Sequence, residues 1–243
     1  MKDYALVLLS GGMDSAVALF WAKHQGQYKI VDALTIDYGQ VSKQELVSSN
    51  HVWYEYLKLY DTGIGTHMTM IFNLFPFSNS SILGYSAIDQ YDNVEQAIRN
   101  TSKDSSYIPL RNAILVSIAS SFLLTQNPKG GDIVMGIRGR RGPGGFADCT
   151  HTFAAFMSSA LTEGSGKPIN IVDPLNGVGI HGRLGTLQLA QAIPGCFEAL
   201  QFTNSCFKGS IPPCGHCLPC LRRAQAFQEL GMPDPAIDKV LHV

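Results

Sequence analysis

The sequence predicts a doubly wound α/β fold, a parallel sheet covered by helices, with a small cysteine-bearing hook at its C-terminal end. Three observations predict it. Short apolar runs alternate with segments of helical period from the first residues onward. A turn of serines and glycines, Ser10-Gly11-Gly12-Met13-Asp14-Ser15, joins the first run to the first helical segment. Four of the six cysteines, Cys206, Cys214, Cys217 and Cys220, crowd into the last 40 residues.

Residues 4–9 form an apolar run ending at Ser-Gly-Gly, the pattern of a strand buried on both faces. From Asp14 a helix follows, with Val17, Phe20 and Trp21 at helical spacing. Residues 29–36 read as the second strand, closed by Asp37-Tyr38-Gly39-Gln40. An amphipathic helix over 42–59 and a strand over 67–74 complete the first half. Such alternation implies right-handed βαβ units. Residues 75–107, rich in Ser, Asn and Asp, break the rhythm and are expected to form a loop or lid over the site. A helix from Arg111 to about Thr125 and a strand at 132–136 resume it. Residues 137–146 hold four glycines and are expected to be ordered by a ligand. A helix over 150–161, a strand over 169–173 and a final helix over 218–230 close the chain. The division expected is a nucleotide-binding α/β domain over 1–200 and a hook with its helix over 201–243.

Composition excludes some functions. With 243 residues, 45% hydrophobic and 15% charged, the chain can bury a sizeable core. A net charge of −1 argues against a general nucleic-acid binder, which needs a basic stripe. No run approaches the roughly 20 apolar residues that span a bilayer, and the N-terminus shows no signal-peptide h-region. A cytoplasmic location is therefore expected, where clustered cysteines more often hold a metal than form disulfides.

The first turn carries the chemistry. Gly11 and Gly12 let the backbone bend tightly and bring N–H groups against phosphate oxygens. Ser10 and Ser15 add hydroxyl donors, and the helix N-terminus favours negative charge. Asp14 suits a Mg²⁺ ion or a helix cap. Neither G-x-x-x-x-G-K-[ST] nor G-x-G-x-x-G is present, so Walker-type transfer and dinucleotide binding are not indicated.

Residues 10–15 match the S-G-G-x-D-S signature of the PP-loop ATP pyrophosphatases. Asp37-Tyr38-Gly39-Gln40 resembles the D-Y-G-Q of that superfamily's QueC branch, the 7-cyano-7-deazaguanine synthases. Ile108-Pro109-Leu110-Arg111-Asn112 resembles its [IV]-P-x-R-N, Asp148-Cys149 its substrate-loop D-C, and the terminal cysteines its zinc site. The matches fall in the family's order and run from residue 5 to about 235. The resemblance implies that Ser10, Gly11, Gly12, Asp14 and Ser15 hold the ATP pyrophosphate with Mg²⁺, while Asp37 and Gln40 contact the nucleotide. It further implies that Asp14, Arg111 and Asp148 serve catalysis, Arg111 on phosphate or a carboxylate and Asp148 on a guanine-like edge. The implied substrate is 7-carboxy-7-deazaguanine, adenylated and then converted to amide and nitrile. Related enzymes are often homodimers.

Cys206-x₇-Cys214-x₂-Cys217-x₂-Cys220 supplies four thiolates, the count for a closed tetrahedral zinc site of structural role. An iron–sulfur cluster is the rarer competitor. Cys149 and Cys196 read as packing residues, and His151 as a capping or surface histidine.

The sequence departs from the family where the second reactant is received. An acidic V-D-Y-S-G-Y-like stretch is replaced by residues 137–146 with Arg138, Arg140 and Arg141, suited to phosphate or to an acidic partner. The family's S-K-x-E is absent, and His181 or Arg183 is the candidate to replace its lysine. These changes leave other readings open: a QueC-like anti-phage enzyme that joins the deazaguanine to a protein amine, or an inactive zinc-stapled scaffold. A tRNA thiolase of the same superfamily would require a basic face that the chain lacks.

Overall fold

The computed structural model describes residues 2–60, 64–100, 105–139, 145–176 and 182–238. Its strands are β1 (Lys2–Leu8), β2 (Tyr28–Asp37), β3 (Ile64–Ile71), β4 (Gly131–Met135) and β5 (Ile169–Val172). They form one parallel sheet in the order β3-β2-β1-β4-β5. Between and after them run α1 (Met13–His24), α2 (Gln44–Leu59), α3 (Val94–Arg99), α4 (Arg111–Gln126) and α5 (His151–Ser165). Then come α6 (Gly182–Gln191), α7 (Cys196–Ala199), α8 (Leu218–Leu230) and α9 (Pro235–Asp238). Each strand lies within a few residues of its predicted span, and α8 falls on its predicted bounds.

Alternation along the strands divides the core. Ala5, Val7, Val31, Ala33 and Val134 meet α1, α2, α6, α7 and α8 on one face. Tyr4, Leu6, Leu34, Ile133 and Ile171 meet α4 and α5 on the other. α1 is apolar on nearly all sides because it lies between the sheet and an outer layer of helices, and a helix so enclosed has no face for water. The chain winds outward from β1 through β2 to β3, then returns to β4 beside β1 and winds the other way. The β1/β4 border is thus the switch point where doubly wound sheets open a ligand crevice.

Two segments differ from expectation. The described residues between 75 and 107 are packed against the cysteine hook and are not a structureless loop. Short turns at Phe75–Phe77 and Ser81–Leu83 and the helix α3 lay Ile82, Leu83 and Ile88 against Cys206, Cys217 and Cys220. The Tyr91 N–H donates to the His216 carbonyl at 2.9 Å. The few apolar residues of this stretch go into that third core, a long-range contact that periodicity does not reveal. The second difference is α6, whose glycines and threonine dilute the helical signal, and the four-residue α7, which is too short to show a period.

A buried ion pair ties α8 to the residues after it, and a further bond from the same arginine ties it to the segment before it. Arg223 donates from Nε and Nη2 to the Asp234 carboxylate at 2.6 and 2.8 Å, and from Nη1 to Thr203 Oγ1 at 2.7 Å. Among the described residues no helix is long and apolar enough to cross a membrane.

Candidate active site at the phosphate loop

The Ser10–Ser15 turn leaves the C-terminal end of β1 and enters α1 with Gly12 as its N-cap. The hydroxyls organise the loop itself: Ser10 N–H donates to Ser15 Oγ at 3.1 Å, and Ser15 Oγ donates to the Gly12 carbonyl at 2.9 Å. No side chain caps α1, so its first-turn N–H groups face the crevice as an anion site. Gly11 has φ +84°, and a Cβ there would collide with the Glu45 carbonyl oxygen and lie 2.7 Å from Ser49 N. The first turn of α2 therefore presses on the loop. From the other side β4 does the same, because a Cβ on Gly136 would lie 2.6 Å from the carbonyl of Asp14 and from Ser15 N. The hook is also bound to the loop, by Asn204 N–H donating to the Gly11 carbonyl at 3.0 Å.

The charges beside the loop are mostly arginine. Arg138 Nη2 donates to Asp14 Oδ2 at 2.9 Å, across 124 residues of sequence. Arg183 Nη1 donates to the Pro219 carbonyl at 2.8 Å. Burial depresses Arg183 to about 10; Asp14 opposes the shift, and Arg138, Arg222 and Arg223 add to it. Asp14 Oδ1, Arg138 Nε and Arg183 Nε are buried without a hydrogen-bond partner among the described residues. Buried polar atoms are normally satisfied, so these three atoms leave hydrogen-bonding capacity open beside the loop. Arg140, Arg141 and His181 lie outside the described residues.

A second cluster adjoins the loop through Glu45. Arg111, at the start of α4, has its guanidinium 5.8 Å from the Tyr38 ring centroid. Burial works against its charge, but Tyr38, Cys149, Asp148 and Glu45 together hold its pKa above the ordinary value. Burial raises the Glu45 carboxyl to about 8, with Arg111 pulling it down. Asp148 is 8% exposed, and its Oδ2 accepts from the Asn112 N–H at 3.1 Å. It supplies the start of α4 with the acceptor that Leu110, the N-cap, does not have. Asn112 Nδ2 donates to the Asp148 carbonyl at 2.9 Å and to Cys149 Sγ at 3.2 Å. Burial, then Asp148, pushes the Cys149 thiol up to about 11, which favours packing over nucleophilic use.

Asp37 and Gln40 stand at the end of β2 but are bonded locally. Asp37 accepts from Lys43 Nζ at 2.7 Å and from Gly39 N–H at 3.0 Å, and Gln40 Oε1 accepts from Tyr38 N–H at 3.0 Å. Sequence reasoning missed Glu45, Tyr38 and Gly136. The signal available for Gly136 was a glycine at a strand end opposite the loop.

Cys206, Cys214, Cys217 and Cys220 meet with their sulfurs within 4.8 Å of one another. Cys217 Sγ lies 3.4 Å and Cys214 Sγ 4.0 Å from Cys220 Sγ. These distances bracket the roughly 3.8 Å that a tetrahedron with metal–sulfur bonds of about 2.3 Å requires. Backbone N–H groups of Cys214 and Cys217 donate to Cys206 Sγ and Cys214 Sγ, both at 3.4 Å, as the second shell of thiolate ligands does. The donor set fits a closed four-thiolate cation site.

Fold and loop together define the class: a doubly wound α/β protein with a serine–glycine phosphate loop at its switch point. The chain belongs to the QueC family, whose model, described as queuosine biosynthesis protein QueC, matches residues 4–231. The 7-cyano-7-deazaguanine synthase of Chromobacterium violaceum is 30% identical over 239 residues, covering 98% of this chain and 94% of that one. The synthase of Laribacter hongkongensis is 28% identical over 247 residues, with 99% and 97% covered. That of the archaeon Methanosarcina mazei is 27% identical over 244 residues, with 97% and 98% covered. Among solved structures, a 4-thiouridine synthetase–RNA complex with bound ATP aligns at a TM-score of 0.47 and 16% identity. The alignment covers 98% of this chain but only 52% of that one.

Proposed function

We propose that this chain is an ATP-dependent ligase that adenylates the carboxylate of 7-carboxy-7-deazaguanine and passes the acyl group to nitrogen, as in 7-cyano-7-deazaguanine synthesis. The observation that carries the reading is the set of unpaired atoms Asp14 Oδ1, Arg138 Nε and Arg183 Nε beside a phosphate loop, in a chain of the QueC family. The loop N–H groups and the α1 N-terminus receive the pyrophosphate. Arg138 and Arg183 neutralise it as it leaves, taking the place of the lysine that other family members carry. Mg²⁺, when bound to the phosphates, would supply further charge neutralisation, and Asp14 Oδ1 is the oxygen placed to hold it. Arg111 is assigned to the substrate carboxylate as it approaches the α-phosphate, and alignment and charge stabilisation carry most of such a reaction. Asp148 keeps α4 and Arg111 in position; its Oδ2 is committed to Asn112, so recognition of a guanine-like edge falls to Oδ1. Zn²⁺ in the cysteine cluster is structural, since a closed four-thiolate site has no open position.

The nucleotide product tests the reading. Incubation with ATP, Mg²⁺ and 7-carboxy-7-deazaguanine is expected to yield AMP and pyrophosphate, with neither formed when the deazaguanine is omitted. Release of ADP and phosphate would overturn it. Arg138→Gln removes a charge-assisted bond, worth roughly 1.5–3 kcal/mol. It is expected to raise the KM for ATP by about 10- to 100-fold in steady-state assays.

A further inference from the structure

His151 is left unused by the activation chemistry, yet it is held in a built arrangement. It opens α5 two residues after Cys149, with its side chain 77% exposed. Its Nδ1 lies 3.0 and 3.1 Å from the two carboxylate oxygens of Asp173. Asp173, buried just beyond the end of β5, also accepts from Asn176 Nδ2 at 2.8 Å. Asn176 Oδ1 in turn accepts from Gly139 N–H at 2.5 Å, and Gly139 follows Arg138, which holds Asp14. A continuous set of bonds therefore runs from the phosphate loop to the imidazole along one edge of the sheet.

Helix capping does not explain His151, because Thr150 is the N-cap of α5 and its Oγ1 accepts from Phe153 N–H at 3.1 Å. Stability explains it poorly too, since a pair with one exposed partner contributes little. Donation from Nδ1–H to a buried carboxylate does have a chemical result. It fixes the tautomer and leaves the Nε2 lone pair directed away from Asp173, as in hydrolase triads.

We propose that His151 is the general base of the second half-reaction, with Asp173 as its positioning residue; this rests on the acyl-adenylate reading above. The nitrogen lone pair of a neutral amine forms the C–N bond to the acyl carbon. The C–O bond to AMP breaks, and AMP leaves with the electron pair. The proton shed by nitrogen goes to His151 Nε2 and from there to solvent. Simple amines are mostly protonated at neutral pH, so a base beside the acyl carbon matters for ammonia or a protein amine. It matters little for hydroxylamine, a better nucleophile that is unprotonated at that pH.

The test compares nucleophiles in metal-loaded wild type, His151→Ala and Asp173→Asn, with 7-carboxy-7-deazaguanine and ATP. In His151→Ala, deazaguanine-dependent exchange of pyrophosphate into ATP is expected to persist, because the base enters only after the adenylate forms. Amide formation from ammonium is expected to fall about 100-fold or more, while hydroxamate formation stays near wild type and added imidazole restores part of the amide rate. Asp173→Asn is expected to lower amide formation and retain exchange. Wild-type amide rates in His151→Ala, or equal losses with both nucleophiles, would overturn the assignment. Absence of exchange in the wild type would remove the adenylation reading itself, and this inference with it.

Discussion

Stripping the metal from Cys206, Cys214, Cys217 and Cys220 is expected to unfold the protein at ordinary temperatures. Three of the four are buried, and they form one wall of the core that Leu74, Ile82, Leu83 and Ile108 complete. Without a cation, thiolates crowded within 4.8 Å repel one another, or must take up protons in a buried place. Structural zinc contributes about 10–16 kcal/mol in small modules, against a total stability of about 5–15 kcal/mol for a domain. The damage would not stay in the hook, because Asn204 bonds Gly11 and Arg223 clamps α8 to residues 200–203. Metal analysis should give one zinc per chain. Thermal unfolding with a strong chelator, or of Cys217→Ser, should show loss of the main transition. Full removal of the metal with an unchanged transition would exclude the structural role.

The second large effect is expected from a single methyl group. Gly11→Ala places a Cβ against the Glu45 carbonyl oxygen and 2.7 Å from Ser49 N, both backbone atoms that cannot rotate away. It also forces alanine to φ +84°, a conformation costing of order 1–3 kcal/mol. The loop or α2 must move, and the N–H groups aimed at pyrophosphate move with it. ATP affinity measured by calorimetry is expected to fall about 100-fold or more, with the circular dichroism spectrum retained. Gly12→Ala provides the contrast in folding. Gly12 has φ −81°, and a Cβ there meets Ser10 Oγ only at 3.5 Å, an ordinary contact, so stability should hold. Equal ATP affinity in Gly11→Ala and wild type would mean that the loop does not bind phosphate through its backbone.

What was legible in the sequence is what local chemistry encodes. The strands announce themselves as apolar runs, those of β2, β4 and β5 ended directly by aspartate or glycine, and the cysteine spacing announces the four-thiol cluster. Ser10-Gly11-Gly12 reads as a phosphate turn because it joins a buried strand to a helix start, where backbone N–H groups can meet an anion. The illegible parts are contacts between distant residues. Arg138 looked like a loop cation free for a partner, but it bonds Asp14 across 124 residues. His151 looked like a surface histidine until β5 brought Asp173 beside it. The stretch after residue 74 looked like a lid because its apolar residues are sparse and without period; their common target is the cysteine core. Asp148 matched a family motif, yet its carboxylate is partly engaged in starting α4, which no motif discloses.

Activation of a carboxylate by attack on the α-phosphate of ATP, as proposed for this chain, is a reversible step that returns label from pyrophosphate to ATP. The decisive measurement is exchange of labelled pyrophosphate into ATP by the zinc-loaded protein, with and without 7-carboxy-7-deazaguanine. Exchange that requires the deazaguanine and disappears in Gly11→Ala is the predicted result. A folded, zinc-loaded protein that binds ATP and the deazaguanine yet supports no exchange would contradict it.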